Sequence, residues 1–342
     1  MPTSFELSPL RVAEFINASK SFKAYAPRVG AIIDFFRRGT LRRQAVWTRV
    51  ANERGGNHII PKWYKFGKER IEVVVQGASI VVDIVEESTG NSTVSYTRCV
   101  APSIVGTLPN FRIYRERKLS AIGKMLGAQD VTLGGDPDFD KLYMVKTKDA
   151  AGTRELWTEN AMVRMRHQLA YASVDSDGEE IHLVEVGKYK EAAKLNAALD
   201  LVSHLASTDV FGVAALRALA GPGLQCDRFG YPRVELQAPE PVVIETREIS
   251  GRLASVAMLK EAADWQPVVA IIEGGSLVDA KSFQQFSPLA RAQVANVGDA
   301  TLVVEAGSAP SLQWSGVEHD TERLMAGAQL LGALAGIGEQ RL

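Results

Sequence analysis

ASVDSDGEEIHLVEVGKYKEAAKLNAALDLVSHLA, residues 172–206, lies without a gap on TLVVEAGSAPSLQWSGVEHDTERLMAGAQLLGALA, residues 301–335, at an offset of 129. Nine of the 35 paired positions are identical: Val174/Val303, Gly178/Gly307, Leu183/Leu312, Gly187/Gly316, Leu195/Leu324, Ala197/Ala326, Leu201/Leu330, Leu205/Leu334 and Ala206/Ala335. Ordinary composition gives roughly two or three by chance. Charge class persists at Glu191/Asp320 and Lys194/Arg323. Two amphipathic helices of one period would match only their leucines. Here the hairpin glycines fall in register as well, which predicts an internal duplication.

Working outward from the first stretch, Phe111–Arg115 reads as a strand, Leu119–Leu126 as a helix, Lys141–Lys146 as a strand and Ala151–Ala170 as one long helix. Ala172–Val174 and Glu180–Val186 form a hairpin across Asp177-Gly178, a strong tight-turn pair, and Glu191–Ala206 closes the unit as a helix. The second copy follows the same order: Val242–Thr246 (strand), Arg252–Ala263 (helix), Val268–Glu273 (strand), Ser282–Asn296 (helix), a hairpin of Thr301–Glu305 and Leu312–Trp314, and the helix Thr321–Leu334. Strands mixed with helices and joined by hairpins predict an α+β fold rather than a doubly wound parallel sheet. Each unit is expected to hold a sheet of about four strands with helices on one face.

The expected division is a basic helical segment over 1–56, a small antiparallel sheet over 57–108, a first unit over 109–210, a linker over 211–236 and a second unit over 237–342. Residues 8–53 show three short helical stripes separated at Pro27 and Gly39-Thr40 and stopped at Gly55-Gly56. Arg70–Gln76 and Ser79–Glu86 read as a hairpin about Gly77, with Thr93–Ala101 a third strand. Val210–Ala220 reads as a helix ahead of the glycine- and proline-bearing stretch Gly221–Pro232.

Composition, 46% hydrophobic and 23% charged over 342 residues, suits two or three ordinary cores. The longest apolar run, Ala326–Ile337, falls short of the roughly twenty residues that span a bilayer. There is no secretory-type start, and the two cysteines, Cys99 and Cys226, form no disulfide framework; a reduced cytoplasmic setting is expected. Charge is split unevenly. Residues 1–70 carry 14 Lys+Arg and 5 Asp+Glu, net +9; the remainder carries 25 and 35, net −10.

Chemical motifs are sparse. No glycine-rich phosphate loop is present, and Gly274-Gly275-Ser276 reads as an ordinary strand-to-helix turn. Asp136, Asp138 and Asp140 begin like a calcium loop, but Lys141 stands where glycine is needed and Thr147 where glutamate is needed. The histidines, at 58, 167, 182, 204 and 319, never pair at zinc-ligand spacing. No metal, no cofactor and no catalytic residue is assigned. Cations mixed with aromatics do stand out: Arg37, Arg38, Arg42, Arg43, Lys62, Trp63, Lys65 and Lys68 form the expected partner-binding set.

Gly135-Asp136-Pro137-Asp138-Phe139-Asp140, followed by the strand Leu142–Lys146 and a long helix, resembles a segment found in various poorly characterised bacterial proteins. The resemblance spans residues 125–206. It implies a bacterial origin and the strand–helix–hairpin–helix order, and carries no activity.

The functional expectation is a non-catalytic cytoplasmic interaction or scaffold protein, self-assembling into a homo-oligomer by contact of the basic segment with the acidic remainder. One alternative is a hydrolase acting in a cleft between the copies through His182, Glu180 and the Asp136–Asp140 cluster. Another is binding of nucleic acid or an anionic membrane surface by residues 28–70.

Overall fold

Alternating apolar and polar residues in RIEVVV (β2, Arg70–Val75) and the valine-rich run that follows (β3, Ala78–Ser88) dictate a half-buried hairpin. Its two-residue turn places Gln76 at φ 51° and Gly77 at φ 84°, the left-handed pair that matches strand twist. These strands belong to a computed structural model that describes residues 39–61, 68–88, 90, 92–115, 131–227, 230–238, 240–260, 268–278, 286–305 and 308–339.

Two eight-stranded, wholly antiparallel sheets organise the described residues. The first contains β1 (Asn57–Ile59), β2, β3, β4 (Thr93–Pro102), β5 (Phe111–Arg115), β6 (Tyr143–Thr147), β7 (Ser173–Ser176) and β8 (Glu180–Val186), in the order β1-β2-β3-β4-β8-β7-β5-β6. The second contains β9 (Gln225–Cys226), β10 (Pro232–Ala238), β11 (Glu240–Ile249), β12 (Arg252–Leu259), β13 (Val268–Glu273), β14 (Ser276–Leu277), β15 (Ala300–Val304) and β16 (Ser311–Trp314). Its order is β9-β10-β11-β12-β16-β15-β13-β14, so adding eight to each strand number of the first sheet generates the second.

Eight helices are described. They are α1 over residues 39–53, α2 (Pro137–Leu142), α3 (Ala150–Leu156), α4 (Glu159–Gln168), α5 (Ala192–Ser207), α6 (Val213–Ala220), α7 (Pro288–Val297) and α8 (Thr321–Glu339). None among the described residues is long and apolar enough to cross a membrane. Helix α5 packs across β2, β3, β4 and β8 as α8 packs across β10, β11, β12 and β16.

Each core follows a row of side chains running across its sheet. In the first the cross-strand partners are Ile71–Val82–Cys99–Leu183–Val174–Ile113. In the second they are Val234–Ile244–Ala257–Leu312–Leu302–Ala270. All twelve are buried, and the strands supplying them correspond one to one. Leu195, Ala197, Leu201 and Leu205 on α5 meet the first row, and Leu324, Ala326, Leu330 and Leu334 on α8 meet the second.

Several expectations need correction. The small sheet over 57–108 does not stand alone, because β4 pairs with β8 from Tyr96↔Val186 to Pro102↔Glu180. Sheets of eight strands therefore replace the expected four. Arg252–Ala263, read as a helix from its leucine, alanine and methionine, begins with strand β12. Pairing with β11 on one side and β16 on the other overrides local helix propensity. The long helix Ala151–Ala170 is two helices: Trp157 ends α3, and Thr158 caps α4 by accepting from Ala161 N–H. The gapless offset also slips by one residue in the hairpin, since Val174 shares its inward position with Leu302 rather than Val303. The stretch expected as a linker, 211–236, carries α6, a short 3-10 turn at Gly221–Gly223, β9 and the start of β10. Leu119–Leu126 and the helices expected before residue 39 lie outside the described residues.

Candidate functional site

The cations singled out by sequence divide when placed. Arg42 and Lys68 are exposed. Arg43 is turned inward, 7% exposed, with its guanidinium 2.5 Å from Glu69 Oε2. The other oxygen of Glu69 lies 3.2 Å from His58 Nε2, so Arg43 holds α1 to the β1–β2 edge. Arg37, Arg38, Lys62, Trp63 and Lys65 lie outside the described residues.

The carboxylates of the aspartate cluster point at local backbone and at Arg166. Asp136 caps α2, its Oδ1 accepting from Asp138 N–H at 3.0 Å and Phe139 N–H at 3.2 Å. Asp140 accepts from Leu133 N–H and Gly134 N–H at 3.0 and 3.2 Å. Arg166 bridges Asp136 and Asp138 at 3.4 and 2.8 Å. Phe139 is fully buried and stacks on Tyr143 at 4.4 Å. No group of three or more metal-ligating side chains is found among the described residues.

His182 and Glu180 are hydrogen-bonded at 3.1 Å on the face of the first sheet opposite its core row, with Asp175 paired across from His182. Burial raises the Asp175 carboxyl, while the nearby His182 and Arg112 draw it down. Cys99 sits in the core row, where burial drives its thiol far upward; Cys226 is exposed on β9.

A cleft of about 430 Å³ opens where the two units meet, and none of these residues lines it. The first unit supplies Glu155 from α3 and Thr208, Asp209 and Val210 from the end of α5; the second supplies Arg252 and Leu253 from β12, with Ser315–Val317 and His319 from the β16–α8 connection. Its walls are built by close joining of the units. Asp209 caps α6, accepting from Val213 N–H and Ala214 N–H, both at 2.8 Å. Gly212, at φ 68°, lets the chain pass where a Cβ would stand 2.9 Å from Val317 Cγ1. Thr246 donates to the Phe211 carbonyl at 2.7 Å, and Leu253 enters the core of the first unit.

A second bolt joins the units at the start of α3. Asp149 Oδ1 accepts from Gly152 N–H at 2.8 Å and from the Tyr231 hydroxyl at 3.0 Å. Burial pushes the Asp149 carboxyl up, opposed by those two hydrogen bonds and reinforced by Glu248 and Asp227.

Glu155, Arg252 and His319 are exposed and make no ion pair or side-chain hydrogen bond among the described residues. The first unit presents carboxylates to the cleft and the second presents a guanidinium and an imidazole. Walls of opposite charge suit a ligand with one positive and one negative end, since each attracts the opposite charge. Sequence reasoning missed Glu155 and Arg252 and gave His319 no role. Glu155 and Arg252 sit at the ends of elements and His319 in a connection, and the joining of the units gathers them. Comparison with protein-family models, curated proteins and solved structures returns no match.

Proposed function

We propose that this chain is a non-catalytic interaction protein whose partner is gripped in the cleft between the two units. The observation carrying this reading is the pair of opposite charges with no ion-pair partner among the described residues, Glu155 on one wall and Arg252 on the other, in a cleft of about 430 Å³. The partner group is dipolar: a free amino acid, a short peptide or a chain terminus offering a cation beside an anion. We further infer that the second unit arose by copying the first, a reading supported by the shared strand order and the matched core rows.

Thermal melts against a panel of amino acids and dipeptides test the cleft. A ligand at about one hundred times its Kd adds about 2.7 kcal/mol to stability. At least one dipolar compound is expected to raise Tm, and Glu155→Gln and Arg252→Gln are each expected to abolish that rise. A rise that survives both substitutions moves the ligand elsewhere and ends the reading.

Self-assembly is the second reading, favoured by the +9 and −10 division and by the exposed Arg42 and Lys68. Sedimentation at low and high salt separates it from the first. Charge-driven contacts weaken as the screening length falls from about 30 Å at 0.01 M to about 3 Å at 1 M. A species of one mass throughout counts against it.

A further inference from the structure

A second cavity, of about 470 Å³, lies in the first unit beside α4, α5 and the β2–β3 turn. The polar side chains facing it are Gln76, Thr158, Asn160, Arg164, Asp200 and His204. It shares no residue with the cleft between the units.

Its hydrogen bonds define which groups remain free. Thr158 Oγ1 accepts from Ala161 N–H at 3.3 Å and lies 3.3 Å from His204 Nε2. Ser203 Oγ donates to Val75 O at 2.8 Å and lies 3.1 Å from Gln76 Oε1, and the Gln76 amide nitrogen has no hydrogen bond among the described residues. Asp200 faces two guanidinium groups. Arg54 takes its Oδ1 at 2.6 Å, while Arg164 stands 3.8 Å from its Oδ2. Two cations around one carboxylate leave one positive charge in excess, and Arg164 is the less firmly held of the two. Burial, and next the charge of Arg164, lower the His204 pKa below its ordinary value. The ring thus stands in a positive field that a bound anion would cancel.

The second unit supplies an internal control. Helices α7 and α8 start at the same 129-residue offset from α4 and α5, and Ser287 caps α7 by accepting from Ala290 N–H as Thr158 does from Ala161. At that offset Leu289 replaces Asn160, Gln293 replaces Arg164, Gln329 replaces Asp200 and Ala333 replaces His204. The second unit thus sets two helices at the same offset beside a sheet of the same strand order without the imidazole, the guanidinium or the carboxylate. These groups are not part of what the two units share.

We infer that this cavity binds a small oxyanion, a phosphate or a carboxylate, between Arg164 and His204, with the amides of Gln76 and Asn160 completing the donor set. Binding is linked to protonation of His204. The anion favours the charged ring, so affinity strengthens as pH falls through the raised pKa of the occupied site toward the lowered value of the empty one. The charged and polar groups about the ring are Arg164 on α4, Asp200 on α5, Arg54 beyond α1 and the Thr158 hydroxyl; of these Arg164, after burial, lowers its pKa.

The test follows the His204 ring resonances by NMR across a pH series, with inorganic phosphate in one arm, acetate in a second and chloride as reference. Either oxyanion is expected to raise the apparent His204 pKa, and Arg164→Gln, which installs the residue of the second unit, is expected to weaken binding about tenfold or more. His204→Ala is expected to leave binding that no longer strengthens on acidification. A response in the phosphate arm alone identifies a phosphoryl group, and a response in both identifies an oxyanion in general. If Arg164→Gln does not fold, Arg164→Lys, which keeps the charge and loses the planar fork, replaces it. A His204 titration indifferent to both oxyanions, or binding unchanged in the Arg164 variant, overturns the inference.

Discussion

The two units share a strand order and fill their interiors differently where β8 corresponds to β16. Two residues beyond Leu183, the first unit turns Glu185 into its core; two residues beyond Leu312, the second turns in Trp314. Glu185 is 3% exposed and accepts from Lys194 Nζ at 2.5 Å and the Tyr189 hydroxyl at 2.8 Å. Trp314 is 2% exposed and donates from Nε1 to the Val297 carbonyl at 3.1 Å. The helix above compensates. Gly327 of α8 lies against the Trp314 ring, where a Cβ would stand 2.5 Å from the indole; at the same offset α5 carries Ala198. One topology thus accepts either a satisfied buried ion pair or a close-packed indole, provided the facing helix residue is sized to match.

The largest effect expected from breaking this comparison is that of Glu185→Ala. It strands Lys194 and Tyr189 without their acceptor and should cost about 3–5 kcal/mol in urea unfolding. Trp314→Phe keeps most of the ring volume and loses one hydrogen bond, about 1 kcal/mol. Equal losses at the two sites would show that the interiors are not as different as their chemistry.

Gly327→Ala comes next. Alanine improves helix propensity by roughly 1 kcal/mol, yet here its methyl meets Trp314 and Leu312, and overpacking costs about 1–3 kcal/mol. A lowered Tm is expected, with Trp314→Phe as background to separate crowding at the ring from other strain. A raised Tm would remove the size-matching argument.

The smallest effect concerns the joint. Asp149 has a folded pKa raised chiefly by burial, so the folded chain binds the proton more tightly than the unfolded one. Its stabilising contribution is full below the unfolded value of about 3.9 and declines as pH rises through the folded value. Asp149→Asn should flatten that decline in urea midpoints measured across the acid range. A variant profile parallel to that of the parent chain would show that Asp149 does not titrate there.

Legibility in the sequence followed the range of the interactions involved. Phe111–Arg115 and Glu180–Val186 are strands over the expected residues, and the helix read at Glu191–Ala206 is α5 displaced by one residue. Alternation and leucine spacing are local signals, and they sufficed there. Strand β12 was unreadable because its sequence, RLASVAML, favours a helix and only its two neighbours hold it extended. The size of the sheets was hidden for the same reason, since no local signal announces that β4 meets β8. The second unit turns from β13 to β14 in two residues, Gly274 and Gly275, while the first inserts residues 116–142 between β5 and β6. Sequence reading drew attention to the aspartates of that insertion, which cap and brace their own loop. The cleft and cavity residues Glu155, Arg252, Arg164 and His204 carry no motif, and their significance depends on chain segments far apart in sequence.

The pairing of β4 with β8 has a consequence for the order in which the polypeptide acquires its shape during synthesis. Pro102 leaves the ribosome 78 residues ahead of its partner Glu180, about 4–16 s at ordinary elongation rates. Through that interval the β1–β4 meander presents an unmatched border carrying Val94, Tyr96, Val100 and the backbone groups between them, a template for another nascent chain. The later meander meets a shorter delay, since Met258 precedes its partner Ser311 by 53 residues. Translation speed between residues 102 and 180 is therefore expected to affect the yield of native protein.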